Sequence, residues 1–293
     1  MAAKTTERLE PRTTSPSWFE KNKKTLVLLT MVAPVAIWLL LLRYLPMGGI
    51  VLAFKNYKVN PRNPSFISNL INSKWVGFKN FEFLFKTDSA WVMIRNTLAY
   101  NIVFIILGVI IPVAFAIMMN EITRKFFKKA YQTMMFFPYF LSWVVVYGIF
   151  YDLLGTDGLI NQLIVALGGT AQNFLANSKY FRSLLVVSTA WKESGWSTIV
   201  YLSAMTAIDP QLYEAAAVDG AGRLRQTWSI TLPCIINTIT FIIIMRASSI
   251  MGSDTEQVMM FYSPIVYGVG DVLGTFVYRE GIENAKFSYT TAV

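Results

Sequence analysis

The sequence predicts an all-α integral membrane protein, a helical bundle of about five complete spans, and three observations carry that prediction. Its 293 residues are 54% apolar and only 15% charged, with a mean hydropathy of +0.46, whereas a soluble domain carries about 25% charged residues and a smaller apolar share. The apolar residues fall in long runs, and a helix crosses a bilayer with about 20 of them. The basic residues flank those runs. Six of the 26 Lys and Arg lie in the first 24 positions (Lys4, Arg8, Arg12, Lys21, Lys23, Lys24), and four more lie within Arg124–Lys129, as the excess of positive charge on cytoplasmic loops requires.

Composition also excludes several chemistries. There is no histidine and one cysteine, Cys234, so a disulfide framework, a Cys/His zinc site, a Ser-His-Asp or Cys-His nucleophile and a histidine base are all unavailable. No catalytic and no metal site is expected. The formal charge of +9 would suit nucleic acid, but its placement beside spans accounts for it. The expected contact is lipid, with no nucleic-acid partner.

Residues 1–24, with Thr-Thr-Ser-Pro-Ser at 13–17, read as a cytoplasmic tail. The first span is assigned to 25–44: Leu26–Leu42 carries no charge and rises roughly 26 Å as a helix. It is longer than the apolar core of a signal peptide, and no small-x-small cleavage site follows, so it is expected to be retained. Residues 45–95, with Lys55, Lys58, Arg62, Lys74, Lys79, Glu82, Lys86 and Asp88 among aromatics and prolines, form an extracytoplasmic segment. Within it Val76–Phe85 sets Phe78, Phe81 and Phe85 at spacings of three and four, the pattern of a helix lying in the interface or packed on the bundle.

The core is assigned to 96–293. Asn96–Met119 is the second span, with Pro112 tolerated where neighbours re-satisfy the freed carbonyl. Tyr131–Tyr151 is the third, kinked at Pro138. Ser183–Ile208 is the fourth, carrying Lys192 and Glu193, and Leu232–Met251 the fifth, carrying Arg246. The short basic connection at 120–130 faces the cytoplasm. Parity then puts the N-terminus and 209–231 inside, with 45–95, the Gly-rich loop 152–181 and everything from 252 outside. After Met251 the chain is polar and turn-rich. Its last seven residues, FSYTTAV, would rise only about 10 Å, so the chain stops where another span could begin.

The connection between the fourth and fifth spans is the most informative stretch, DPQLYEAAAVDGAGRLRQTWSITLPCIIN from Asp209 to Asn237. Asp209 is a good N-cap, and Pro210 sits where the first turn tolerates a missing N–H. A helix should run from Pro210 to about Val218 and end at Asp219-Gly220, glycine supplying the left-handed conformation. A second helix is expected from Gly222 to Ile230, stopped by Pro233. Ala215, Ala216 and Ala217 would let a partner approach the backbone closely.

Glu214-Ala215-Ala216, Gly220 six residues after the Glu, and Ile230, Leu232 and Pro233 resemble the EAA signature of the inner-membrane permease subunits of ABC importers. Asn237 departs from it, many members having a second proline there. LPMGGIVLAFKNYKV at 45–59, WVGFKNFEFLF at 75–85, NTL at 96–98, FPYFLSWVVV at 137–146 and VYGVGDVLGTFVYREGIENAKFSYTTAV at 266–293 are similar to the maltose-type branch that moves oligosaccharides and polysaccharides. Within it the look is that of permeases for large or acidic glycans, alginate importers included. The resemblance implies a type I ABC importer fold, in which the family has six spans. A chain that stops before the sixth is then a shortened one, or one whose partner closes that side of the bundle.

The resemblance also implies a role for the loop at 209–233. Glu214, Ala215, Ala216, Asp219 and Gly220 would form a coupling helix docked in a groove of a cytoplasmic ATPase, with Arg223 and Arg225 as charge partners. The implied partners are a second homologous permease, two ATPase subunits and an extracytoplasmic solute-binding protein, in a bacterial inner membrane, with a glycan as cargo. This chain has no GxxxxGK[ST] loop, so ATP and Mg would be bound by the ATPases and no cofactor by this chain.

A sugar path needs apolar faces for pyranose rings and a few polar groups for hydroxyls. The third span offers Tyr139, Ser142, Trp143 and Tyr147 at spacings of three to four, so they share one face; the fourth offers Trp191, Lys192, Glu193, Ser194 and Trp196. Such aromatics also pack against neighbours or mark the interface. Lys192 and Arg246 are costly in lipid and must face a cavity or a partner. Either they meet an acidic glycan, or Lys192 pairs with Glu193 or another acidic residue and Arg246 does likewise. The rival classes are a stand-alone secondary transporter or channel, against which stands the lack of an inverted repeat, and a membrane-bound glycosyltransferase or lipid-modifying enzyme, against which stand the scattered carboxylates.

Overall fold

A computed structural model of the chain describes residues 18–61, 65–252 and 255–293. Lys4, Arg8 and Arg12 of the expected tail, and Arg62, lie outside the described residues. The chain divides into two compact units between Leu52 and Ala53.

In the first unit α1 (Trp18–Leu39) starts inside the stretch expected to be a polar tail. It continues through a π-helical turn, Leu40–Tyr44, into α2 (Leu45–Met47). Pro46 explains the turn. A proline has no N–H to donate and its ring presses on the carbonyl four residues back; widening the helix by one residue, with the Leu45 N–H donating to the Leu40 carbonyl, lets it continue. The apolar window of this unit is wholly unburied.

The second unit opens with a short antiparallel ribbon, β1 (Lys55–Asn56) and β2 (Lys74–Trp75), with Lys55 opposite Trp75. It encloses α3 (Phe66–Asn72). The segment expected as one interface helix is instead a 3-10 turn, Gly77–Phe81, followed by α4 (Glu82–Lys86). Phe78 and Phe85 stay exposed, while Phe81 turns onto Phe54 with ring centroids 5.4 Å apart.

The bundle is organised on two long helices. α5 (Asp88–Asn120) extends about 50 Å and passes a buried Pro112 unbroken. The third span is not one kinked helix: α6 (Lys125–Phe136) ends in a 3-10 turn, Phe137–Phe140, and α7 (Trp143–Leu154) starts afresh at Ser142, whose Oγ accepts the Val145 N–H at 3.4 Å. In the expected outer loop, α8 (Leu159–Ala166) is fastened by buried Asn161, which donates to the Gly155 and Gln172 carbonyls at 2.7 and 2.8 Å. Then α9 (Ser178–Thr206) packs along α5 for most of its length.

Among the described residues four helical stretches are long and apolar enough to cross a membrane, at 22–54, 88–120, 143–166 and 223–247. The fourth expected span, α9, has the length without that composition. Its polar residues are inside: Ser188, Thr189, Ser194, Ser197 and Thr198 are buried, and Ser188 and Thr198 donate to the Leu184 and Ser194 carbonyls at 2.8 and 2.7 Å. A central helix can carry such hydroxyls because protein surrounds them. One apolar cluster joins α5 and α9 to later segments through Tyr100, Phe104, Phe181, Leu185 and Phe261; a second joins their other halves through Val113, Met119, Tyr201 and Ile235.

After α9 come α10 (Pro210–Val218), α11 (Arg223–Gln226), a π turn, Thr227–Thr231, and α12 (Leu232–Ala247). Pro233 does not stop the second loop helix, contrary to expectation. The π turn before it makes α11 and α12 one continuous rod, by the same device used before Pro46.

The segment expected to be turn-rich folds as α13 (Thr255–Phe261), α14 (Tyr267–Gly270), α15 (Leu273–Val277), a π turn, Tyr278–Glu283, and α16 (Phe287–Thr291). Buried Gln257 fixes it to α9, donating to the Leu185 carbonyl and Ser188 Oγ and accepting from Thr189, all within 2.9 Å. Asn96 donates to the Asp271 carbonyl at 3.1 Å, which fixes it to α5. Asp271 in turn holds Arg279 at 2.8 Å and Tyr262 at 2.8 Å. Burial, then the hydrogen-bonded Asp271 carboxylate, pushes the Tyr262 phenol above its ordinary value.

Candidate functional site

The loop from Asp209 to Gln226 is built locally. The Asp209 carboxylate caps α10, accepting the Gln211 N–H at 2.9 Å, and Pro210 occupies the first turn. At the other end the Gly220 N–H donates to the Ala217 carbonyl and the Ala221 N–H to that of Ala216. This is a complete Schellman closure with Gly220 at φ +75°. Glu214, Ala215, Asp219 and Gly220 are exposed and Ala216 is half-buried. Around them Val218, Leu224 and Trp228 are 88%, 79% and 71% exposed, a large apolar area for a loop so rigidly closed.

Two side-chain links tie this loop to the bundle. The Tyr213 hydroxyl meets Thr231 Oγ1 at 2.9 Å in the π turn. Arg223 reaches Glu121, just past the end of α5, at 2.5 Å. Arg223 therefore has a partner within the chain, whereas Arg225 is exposed. Glu121 was not legible as part of the site, because the pair spans 102 residues.

Halfway along the bundle lies a groove of about 450 Å³, lined by Tyr139, Glu193, Trp196, Ser197 and Arg246 among others. Arg246 donates to Glu193 at 3.4 Å and to Ser197 at 3.2 Å. Its guanidinium lies on Gly108 of α5, where a Cβ would stand 2.8 Å from Nη1. Glu193 thus pairs with Arg246 and not with Lys192. Lys192 donates to the Tyr139 carbonyl at 3.2 Å and sits 5.5 and 5.1 Å from the Tyr139 and Trp143 ring centroids, a cation held by rings and a carbonyl dipole. Trp196 stacks on Tyr139 at 5.2 Å and on Phe136 at 5.8 Å.

The structure brings Tyr139, Trp196 and Arg246 to one groove, joins Lys192 and Trp143 to it through Tyr139, and leaves Tyr147 and Trp191 out. Tyr147 packs edge-on against Phe261 at 5.2 Å in the core. Trp191 meets Phe150 edge-on at 6.2 Å and lines an apolar cleft with Met134 and Phe115. The common face expected for Tyr139 and Tyr147 assumed an unbroken helix, and the 3-10 turn at 137–140 removes that assumption. On α9, Lys192 and Trp196 are four residues apart and share a face, which Trp191 does not. Gly108, Ser197 and Phe136 were missed, since nothing local marks them.

An apolar bundle with a charged, aromatic-lined groove inside and a rigid exposed loop at one end is a membrane transport component. Residues 105–282 match the family described as binding-protein-dependent transport system inner membrane component, and the chain belongs to that family. It is 40% identical over 282 residues to the polygalacturonan/rhamnogalacturonan transport system permease protein YteP of Bacillus subtilis (strain 168), covering 94% of this chain and 86% of that protein. Its fold matches a chain in the crystal structure of a bacterial ABC transporter involved in the import of the acidic polysaccharide alginate. The TM-score is 0.83 with 34% identity, over 94% of this chain and 90% of that one. The same likeness holds for the alginate transporter in complex with an alginate pentasaccharide-bound periplasmic protein. The chain is a permease component of the inner membrane with a predominantly helical transport fold.

Proposed function

We propose that this permease carries an oligo- or polysaccharide with carboxylate groups into the cytoplasm, driven by ATP hydrolysis on two separate ATPase subunits. A second homologous permease would complete the pathway, and an extracytoplasmic binding protein would deliver the sugar. The observation that carries the reading is the closed, exposed loop at 209–226. In this reading Glu214, Ala215, Ala216, Asp219 and Gly220 seat in the ATPase from the cytoplasmic side, with Arg225 as a charge contact. The N-terminus lies on that side too, and this chain binds neither ATP nor Mg.

Transmission follows from the links already described. Tyr213–Thr231 and Arg223–Glu121 fasten the loop to the rod α11–α12 and to the end of α5. From Thr231 to Arg246 the rod covers about 22 Å at 1.5 Å per residue, so moving the loop as a rigid body moves Arg246 relative to the groove. Lys192, with no ion-pair partner among the described residues, and Arg246, whose pair with Glu193 is long at 3.4 Å, support an anionic cargo. So do the acidic glycans in the names of the relatives. The test is co-purification of the chain with its neighbouring gene products, followed by an ATPase assay with and without sugar-loaded binding protein. Hydrolysis stimulated by the loaded protein is expected; a chain that purifies alone and moves sugar without ATP would return the secondary-transporter reading.

A further inference from the structure

At the Asp88 end of α5, three parts of the chain line a cavity of about 1090 Å³. They are the loop after β1, the stretch from Asn80 through α4 to the start of α5, and the segment from α14 to α16. This cavity is not the Arg246 groove: Asp88, Ser89 and Val92 line the one, Asn101, Phe104 and Ile105 the other. Its size suits a small-molecule ligand.

The lining charges cancel. Arg279 is held by Asp271 at 2.8 Å and Lys286 by Glu280 at 2.7 Å. Lys58 and Asp88 remain, both exposed and without an ion pair among the described residues. One wall is aromatic, with the Tyr289 ring centroid 4.7 Å from that of Phe83 and 5.7 Å from that of Phe276. The Tyr289 hydroxyl has no hydrogen-bond partner among the described residues. The backbone holding this wall is unusual: a π turn at Tyr278–Glu283 is followed by Ala285 at φ +52°, a left-handed conformation costly for alanine. It returns the Lys286 N–H to the Glu280 carbonyl at 2.9 Å and sets Tyr289 in place.

A charge-balanced cavity with an apolar ring wall, the Asp88 carboxylate, the Lys58 ammonium and the hydroxyls of Ser89 and Tyr289 in its lining matches a polyhydroxylated ring better than an anion or a lipid tail. We infer that this cavity is a second carbohydrate site, which binds neutral and acidic sugar residues alike through their hydroxyls and ring faces and leaves the reading of carboxylates to the Arg246 groove. The inference rests on the glycan-import reading above.

A fluorophore on Ser89→Cys, in a Cys234→Ser background of the assembled transporter in nanodiscs, reports on this cavity alone. Titration with trigalacturonate and with maltotriose is expected to give dissociation constants within about threefold of each other. Asp88→Asn and Tyr289→Phe should each raise both by about fivefold, the loss of one hydrogen bond, while Arg246→Met leaves both unchanged. A silent probe, a response to trigalacturonate alone, or a response to sugar-free binding protein but to neither sugar would overturn the site, the last marking a protein-docking surface. Uptake by the same labelled transporter in proteoliposomes separates the two readings: glycan uptake with a silent probe sinks the cavity only, and absence of all glycan uptake sinks the import reading.

Discussion

The guanidinium of Arg246 lies on the bare Cα of Gly108, so close that a Cβ there would stand 2.8 Å from Nη1 and 2.9 Å from Cζ. The glycine forms the floor of the slot in which Arg246 meets Glu193 and Ser197. Gly108→Val should push the guanidinium off both partners. Loss of a charge-assisted contact is worth about 1.5–3 kcal/mol, so uptake of an acidic oligosaccharide should fall by about tenfold or more, with the protein still inserted. Uptake equal to the parent's would mean that the slot has no part in transport.

Lys192 and Arg246 should separate charged from neutral cargo. Lys192→Met keeps the length and apolar stem that lie along Tyr139 and Trp143 but removes the charge. It is expected to lower uptake of trigalacturonate several-fold and to spare a neutral trisaccharide of the same length. Parallel losses for both sugars would assign Lys192 to packing.

At Gly220 nothing lies within 4 Å of a Cβ, so the cost of substitution is conformational. Gly220→Val should strain the closure by about 1–2 kcal/mol, while asparagine tolerates the left-handed region. Co-purification of ATPase subunits should therefore drop for Gly220→Val and largely survive for Gly220→Asn. The same yield with both variants would remove the closure from the docking argument.

Gly195 is constrained differently. There a Cβ would stand 2.0 Å from the Met135 carbonyl oxygen, where α9 crosses the end of α6. Gly195→Ala should cost about 1–3 kcal/mol as overpacking does, seen as a lower thermal midpoint and a poor monodisperse yield in detergent. Unchanged stability would show that the crossing relaxes freely.

The Arg223–Glu121 pair tests coupling apart from folding. The side chains are 78% and 45% exposed, so breaking the pair should change stability by no more than about 1 kcal/mol. Arg223→Ala should instead lower the sugar moved per ATP hydrolysed, leaving basal hydrolysis in place. An unaltered ratio would make the pair incidental.

What was readable in the sequence follows the range of the cause. Asp209, Pro210, Asp219 and Gly220 act on their own few residues of backbone, and the structure has that loop helix, its cap and its glycine closure where the residues called for them. Long apolar runs are equally local in origin, and α5 agrees with expectation apart from eight added residues at its start and one at its end. The break at Phe137–Phe140 was hidden because a proline in a helix can kink it or end it, and packing of α6 against Gly195 decides which. The pairing of Glu193 with Arg246 instead of its neighbour Lys192 depends on where α12 crosses α9. The docking of the last forty residues through Gln257 and Asn96 rests on contacts across the chain that carry no local mark.

The π turn at Thr227–Thr231 takes up one residue more than a straight helix would need without retiming the helix around it. Each α-helical residue turns the chain by about 100°, and the wider π turn spreads its extra residue over nearly the same total rotation. Deleting a single residue there would give a regular rod of nearly the same length with Arg246 still facing Glu193 and Gly108, whereas deleting one residue of α12 ahead of Arg246 would swing it about 100° away from both. The widened turn thus works as slack in the rod, where chain length can change while the face that α12 shows to the groove stays put.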